Sequence, residues 1–277
     1  MSNQFLDDLK WRGLLAQTTD ETELAKALEN PITAYIGFDP TAPSLHVGNL
    51  VVLLVLRRLQ LAGHKPIALV GGATGLVGDP SGRNDERTLN EESLVSDWVA
   101  RIRDQVSKFL DFDAKSNPAI VVNNLDWTKD LSALELLRGI GKHFSVNQML
   151  SKDSVSSRLE SGGISYTEFS YQVLQALDYL ELFRRHDCTL QLGGSDQWGN
   201  MLSGVPLIRK KENKEVHALS TPLIVNKSTG KKFGKSEDGA IWLDSKKTSV
   251  YSFYQFWLNA SDEDTSRYIR IFTLLSK

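Results

Sequence analysis

Three short apolar runs, at residues 33–38, 67–72 and 119–124, constrain this chain most. Each is about as long as one buried strand, and polar or glycine-rich residues bound each of them. Between the first two, residues 47–62 repeat their apolar positions at helical spacing and stop at Gly63. Between the second and third, residues 93–110 form an amphipathic helical pattern. Strand, helix and strand in alternation predict an α/β fold with a doubly wound, Rossmann-like parallel sheet. Residues 126–186 then change character: the pattern is mostly helical, with no good strand. They are read as a helical insertion between two halves of the sheet, which resumes at 188–192 and 219–225 around a helix over 196–210. Two short helices are expected before the first strand, and residues 1–246 are read as one domain with 247–277 opening a C-terminal helical region.

Composition narrows the class of protein. The 277 residues are 41% hydrophobic, enough for one large domain with an insertion, and the net charge of −2 excludes a wholesale polybasic binder. One cysteine, Cys188, cannot form an internal disulfide. No signal peptide is evident in the first residues, and no apolar run is long enough to span a bilayer. A soluble, cytoplasmic protein is expected. The last residues fall inside an apolar helical pattern, which reads as a truncation.

Two stretches carry phosphate chemistry. Asp39-Pro-Thr41-Ala-Pro-Ser-Leu-His46-Val-Gly48-Asn49 follows the first strand, where ligands of open parallel sheets bind. Glycine at the helix start allows close approach, and free N–H groups there favour anions. The same stretch also reads as a Pro-rich turn with His46 as a simple cap. Lys232-Phe-Gly-Lys235-Ser236 is a glycine loop with two lysines, in a region where Lys and Arg outnumber Asp and Glu. It reads as a solvated basic turn or as cations that close over developing negative charge.

Other stretches point to a second ligand. Asp79 follows a run dense in glycine after the second strand, and a carboxylate there suits an ammonium better than a phosphate. Tyr171, Gln175 and Asp178 share one face of a helix that is otherwise largely apolar. Leu190-Gln191-Leu-Gly193-Gly194-Ser-Asp196-Gln197-Trp198-Gly-Asn200 is a strand–turn–helix element in which Asp196 is either a helix cap or an acceptor for ribose hydroxyls.

Taken in this order along the chain, these motifs resemble those of bacterial tyrosyl-tRNA synthetases of class I. Tyr35 through Asn49 resembles their signature, with His46-Val-Gly48-Asn49 a form of the HIGH motif whose last histidine is here asparagine. Lys232 through Ser236 resembles the KMSKS loop, and Gly193 through Asn200 the GGSDQWGN element. The resemblance covers nearly the whole chain and implies a set of roles. Gly37, Asp39, Thr41, His46, Gly48, Asn49, Gly194, Asp196 and Lys235 would surround ATP. Thr41, His46, Asn49, Arg83, Arg87, Lys232 and Lys235 would act in catalysis, Arg83 and Arg87 from a loop that contacts pyrophosphate. Asp79, Tyr171 and Gln175 would hold the amino group of tyrosine, and Asp178 with Tyr35 its phenol. Gln191 and Gln197 would approach the substrate, with Asn124 in the same polar network.

The implied reaction joins tyrosine to ATP as tyrosyl-adenylate, releases pyrophosphate, and passes tyrosine to the 3′ end of tRNA(Tyr). ATP would arrive with Mg2+, no prosthetic group is implied, and no dedicated metal-ligand cluster is read in the sequence. The resemblance further implies a homodimer formed through the helical insertion, to which residues 141–150 would contribute. It also implies additional C-terminal helices and an RNA-binding domain, so these 277 residues alone are expected to activate tyrosine and to charge tRNA poorly. Two other readings are a synthetase-like protein that binds structured RNA without catalysis, and a nucleotidylyltransferase with another acceptor.

Overall fold

The computed structural model describes residues 3–81, 90–226, 233–236 and 239–277, with the backbone alone at 153, 154, 161, 235 and 236. Arg83, Arg87 and Lys232 lie outside the described residues, and of Lys235 only the backbone is described. Eight strands are described: β1 (Gln17–Thr18), β2 (Thr33–Phe38), β3 (Lys65–Val70), β4 (Ile120–Asn123), β5 (Cys188–Gly194), β6 (His217–Thr221), β7 (Lys235–Ser236) and β8 (Gly239–Ala240). Six of them form one sheet in the order β1-β6-β5-β2-β3-β4. All its neighbours pair in parallel except the two-residue β1, which runs antiparallel along β6. β7 and β8 pair with each other as a separate hairpin. The expected doubly wound sheet is present, whereas β1 and the β7–β8 hairpin were not expected, because two-residue strands carry no periodicity.

Helices cover both faces. α1 (Gln4–Arg12), α2 (Glu21–Ala27), α3 (Val47–Leu61), α4 (Thr74–Val77) and α5 (Glu92–Val106) precede β4. Between β4 and β5 come α6 (Leu125–Thr128), α7 (Ala133–Glu135), α8 (Val146–Leu150), α9 (Asp153–Ser161) and the long α10 (Tyr166–His186). α11 (Trp198–Glu212) follows β5, and α12 (Val250–Leu258) and α13 (Asp262–Phe272) end the chain. None of the helices among the described residues is long and apolar enough to cross a membrane.

Strand side chains alternate between faces, and the core divides accordingly. Ala34, Ile36 and Phe38 of β2 pack with α1, α3 and the C-terminal helices, while Tyr35 joins Ile67 and Leu69 against α10 and α11. α10 starts where Ser165 accepts from the N–H of Glu168, and it ends at Asp187 in the left-handed conformation, φ 51°.

The sheet order fixes where a ligand fits. Chain order reverses between β2, which continues to β3, and β5, which continues to β6, so this is the topological switch point. The β2–β5 pairing runs only as far as Tyr35 opposite Gln191, although β2 extends to Phe38 and β5 to Gly194. Beyond that pair the two strands part, and a crevice opens between their carboxyl ends.

α10 is set against α11 by one close approach. A Cβ at Gly204 would lie 2.7 Å from Cδ1 and 3.0 Å from Cβ of the fully buried Tyr179, whose hydroxyl donates to the carbonyl of His217 at 2.8 Å. Gly204→Val is expected to destabilise the fold by about 2 kcal/mol through overpacking. A urea-unfolding midpoint equal to the parent's would contradict this contact.

Candidate active site

Asp178 lies at the deep end of the crevice. Its carboxylate accepts from Asn124 Nδ2 at 3.0 Å and from Trp127 Nε1 at 2.9 Å. Burial pushes its pKa up to about 7, and those two hydrogen bonds restrain the rise. Asn124, itself fully buried, donates its other amide hydrogen to Thr74 Oγ1 and accepts from the Ala73 N–H, so it acts on the crevice through Asp178. Tyr35 stands close enough for Asp178 to help raise its pKa, after burial itself. The Tyr35 hydroxyl is buried with no hydrogen-bond partner among the described residues, and so is Gln175 Oε1. Buried polar atoms left unpaired cost about 1–3 kcal/mol each, and in native proteins such atoms call for a functional explanation.

The other end of the same helix face carries acceptors. Tyr171 donates its hydroxyl hydrogen to Asp39 Oδ2 at 2.7 Å, so toward a ligand that oxygen can only accept. Asp39 also accepts from Thr74 Oγ1 at 2.6 Å, and a Cβ at Gly71 would collide with the same carboxylate. These hydrogen bonds set Asp39, the residue after β2, beside Tyr171 and Thr74. Asp79 accepts from the Ser81 N–H at 3.0 Å, Gln197 Nε2 at 2.6 Å and Asn200 Nδ2 at 3.2 Å. Tyr171 and Asp178 are about 10 Å apart along the helix axis at 1.5 Å per residue. The face therefore offers acceptors for an ammonium at one end, and a carboxylate with a hydroxyl at the other. That span is comparable with a tyrosine from its ammonium to its phenol. Gly37, the one exposed position of β2, would bring a Cβ no nearer than 3.9 Å to Leu69, so open space lies above it. Gln191 is buried beside Tyr35 in the β2–β5 register.

The phosphate side is built around the first turn of α3. His46 caps it, and His46 Nδ1 accepts from the Gly48 N–H at 3.0 Å, which leaves a neutral ring its proton on Nε2. A Cβ at Gly48 would strike that ring at 2.7 Å, so the glycine is needed for the fold-back of His46. The expectation of free N–H groups here is corrected. Val47 donates to the carbonyl of Ile241, and Asn49 and Leu50 donate to that of His46, so the first turn is spoken for by its own surroundings. The donors that remain here are side chains. Asn49 Oδ1 accepts from the His46 N–H at 3.0 Å, which turns its NH2 outward as a donor. Thr41 is exposed just before this turn. Across the crevice mouth, Asp196 is exposed after β5 and folds over Gly194, where a Cβ would lie 2.5 Å from its Oδ1.

The two phosphate motifs meet. Trp242 forms an antiparallel bridge with His46, and its ring lies edge-on to the imidazole at 6.2 Å. The Ile241 N–H donates to the carbonyl of Gly234, so the stretch that accepts from Val47 also holds the lysine loop. Gly234 has φ +87°, and a Cβ there would lie 2.8 Å from Val47 Cγ2 and 3.2 Å from Gly48 N. Trp127, Thr74, Asn200 and Trp242 were given no role from the sequence. Trp127 had one signal, its place one helical turn after Asn124.

The family model described as tRNA synthetases class I (W and Y) matches residues 26–277, and the chain belongs to that family. Its relatives include tyrosine–tRNA ligase 1 of Bacillus licheniformis, 58% identical over 274 residues, and the tyrosine–tRNA ligase of Streptomyces griseus, 61% identical over 275 residues. Those alignments cover 98% of this chain but 65% and 64% of the relatives, so the chain spans about two-thirds of their length. Among solved structures, a C-terminally truncated mitochondrial tyrosyl-tRNA synthetase of Aspergillus nidulans superposes with a TM-score of 0.87 at 31% identity, covering 98% of this chain and 80% of that one.

The raised pKa of Asp178 makes stability depend on pH. Unfolded, the carboxyl ionises near 3.8; folded, near 7. Between these values the folded state keeps a proton that the unfolded state has released, so this contribution is full below the lower value and is lost as pH rises to the upper one. The melting temperature of the parent relative to Asp178→Asn should therefore fall between about pH 4 and pH 8. A difference that stays flat or grows with pH would contradict the burial assigned to this carboxylate.

Proposed function

We propose that this chain activates tyrosine with ATP and, as the catalytic part of a tyrosine–tRNA ligase, passes it to the 3′ end of tRNA(Tyr) in the cytoplasm. The observation that carries the reading is the pairing of a buried carboxylate, Asp178, with the unpartnered hydroxyl of Tyr35 at the closed end of the crevice. The phenol of tyrosine donates to one and exchanges a hydrogen bond with the other. Its ammonium is received by Asp79, Tyr171 and Gln175, and Gln191 and Gln197 border the substrate.

One oxygen of the tyrosine carboxylate bonds to the α-phosphorus of ATP as the bond from that phosphorus to the bridging oxygen breaks. Pyrophosphate leaves with Mg2+. The carboxylate is already ionised at neutral pH, so no general base is required. Rate enhancement comes from orientation and from donors that meet the growing charge: His46 Nε2, Thr41, Asn49, Lys232, Lys235, Arg83 and Arg87. Asp196 and Gly194 receive the ribose, and Gly37, Asp39 and Gly48 border the nucleotide side. In the second step a terminal ribose hydroxyl of tRNA attacks the tyrosyl carbonyl and AMP leaves.

A homodimer through the helical insertion is part of the reading. Val146 and Leu150 of the 141–150 stretch are exposed, together with Leu134, Leu137 and Tyr166, whereas Met149 turns inward and Phe144 packs against the core. Exposed apolar side chains grouped on one region mark an interaction face.

ATP–pyrophosphate exchange tests the reading. Exchange should require tyrosine, and phenylalanine should support it about 100-fold less well, because it leaves the Tyr35 hydroxyl and one hydrogen-bond position of Asp178 unfilled, at a cost of roughly 3 kcal/mol. Exchange without any amino acid, or equal use of phenylalanine, would overturn it.

A further inference from the structure

The loop motif Lys232-Phe233-Gly234-Lys235 places an aromatic residue between two lysines, and that aromatic is buried. Four rings surround it. Phe233 stacks on Phe272 with centroids 4.8 Å apart, meets Tyr268 edge-on at 4.8 Å and Phe256 at 5.3 Å, and tilts against Trp257 at 5.8 Å. All four belong to α12 and α13. A charged loop gains nothing chemically from such a ring, yet aromatic contacts of this kind fix position well.

The backbone on either side of the ring is held as well. The Phe233 N–H donates to the carbonyl of Ile224, and Gly234 lies against the first turn of α3. The cage is tied to the same helix. Arg58, from the last turns of α3, donates to the carbonyls of Ile271 and Thr273 at the end of α13, and Arg12 of α1 donates to those of Arg270 and Leu275. Cations on the last carbonyls of a helix are favourable on both hydrogen-bonding and dipole grounds. A closed circuit results: α3 grips α13, α13 cages Phe233, and the next residue returns to the start of α3 beside His46.

We propose that Phe233 is a positioning residue for the adenylation step: its caged ring fixes the backbone from which Lys235 extends, and so places that cation relative to His46. The proposal rests on the tyrosine-activation reading above. Lys235 is two residues from the caged ring, so the anchor holds the backbone from which that side chain starts. Removal of the ring leaves the tyrosine pocket untouched and loosens a contact needed only as charge develops on the leaving pyrophosphate.

The test uses Phe233→Leu, Phe272→Leu and the double variant, each compared with the parent. Phe233→Leu should lower kcat of tyrosine-dependent pyrophosphate exchange by about tenfold or more, while the equilibrium Kd for tyrosine stays within about twofold. Phe233→Met, which refills the cage, should recover part of the rate. Phe272→Leu should act through the same ring, so the double variant should be slower than Phe233→Leu by much less than the product of the single effects. An unchanged rate in Phe233→Leu, parallel losses of rate and tyrosine binding, or multiplicative effects would each overturn the proposal. A second readout does not need activity. Tryptic cleavage after Lys232 and Lys235 should run at least about fivefold faster in Phe233→Leu than in the parent, as expected when local opening becomes easier. Equal cleavage rates would overturn the anchor even if the parent proved inactive toward tyrosine, an outcome that would sink the functional reading separately.

Discussion

A carboxylate held out of water at Asp178 is the constraint around which the crevice is arranged. Burial of such a group without partners would neutralise it or destabilise the fold. Asn124 and Trp127 hold it in place, and each comes from the segment that leaves β4. Asn124 is fixed in turn by Thr74 and Ala73 after β3. Two strand ends and one helix therefore converge on a single side chain. The Tyr35 hydroxyl, at the same closed end as Asp178, and Gln175 Oε1, one turn earlier on α10, have no hydrogen-bond partner among the described residues. An unpaired hydroxyl beside a buried carboxylate is the feature on which the proposed recognition of a phenol rests.

The phosphate side follows a different logic. There the backbone donors of the α3 first turn are consumed by His46 itself and by Ile241, which leaves side chains as the donors for the proposed chemistry. The imidazole is locked in one tautomer, and Asn49 is turned so that its NH2 faces outward. This is pre-organisation of donors before charge appears, the arrangement in which electrostatic stabilisation is most effective. Residues 241–243 join the two motifs: Ile241 accepts from Val47, Trp242 bridges His46, and Leu243 donates to the carbonyl of Leu45.

Much of this was legible in the sequence because it depends on local pattern. The strands at 33–38 and 119–124, the helix from Val47 and the shared face of Tyr171, Gln175 and Asp178 all follow from period and spacing. The residues that escaped act across the fold. Trp127 reaches Asp178 from a short helix in the insertion, and Asn200 reaches Asp79 from a helix more than a hundred residues downstream. Nothing in a tryptophan or an asparagine alone marks it as a partner of a distant carboxylate. Asp39 adjoins the phosphate motif in sequence, and only the fold shows its hydrogen bonds to Tyr171 and Thr74. The N–H groups of α3 were expected to be free because a helix start is free by default, and only the tertiary partner Ile241 and the fold-back of His46 remove them.

The central claim is that the closed end of the crevice recognises a phenol. A crystal structure with bound tyrosine tests it most directly. The account predicts the phenolic oxygen at hydrogen-bond distance, about 2.5–3.0 Å, from both Asp178 and the Tyr35 hydroxyl. A tyrosine bound with its phenol away from Asp178, or with its ammonium at that carboxylate, would contradict it.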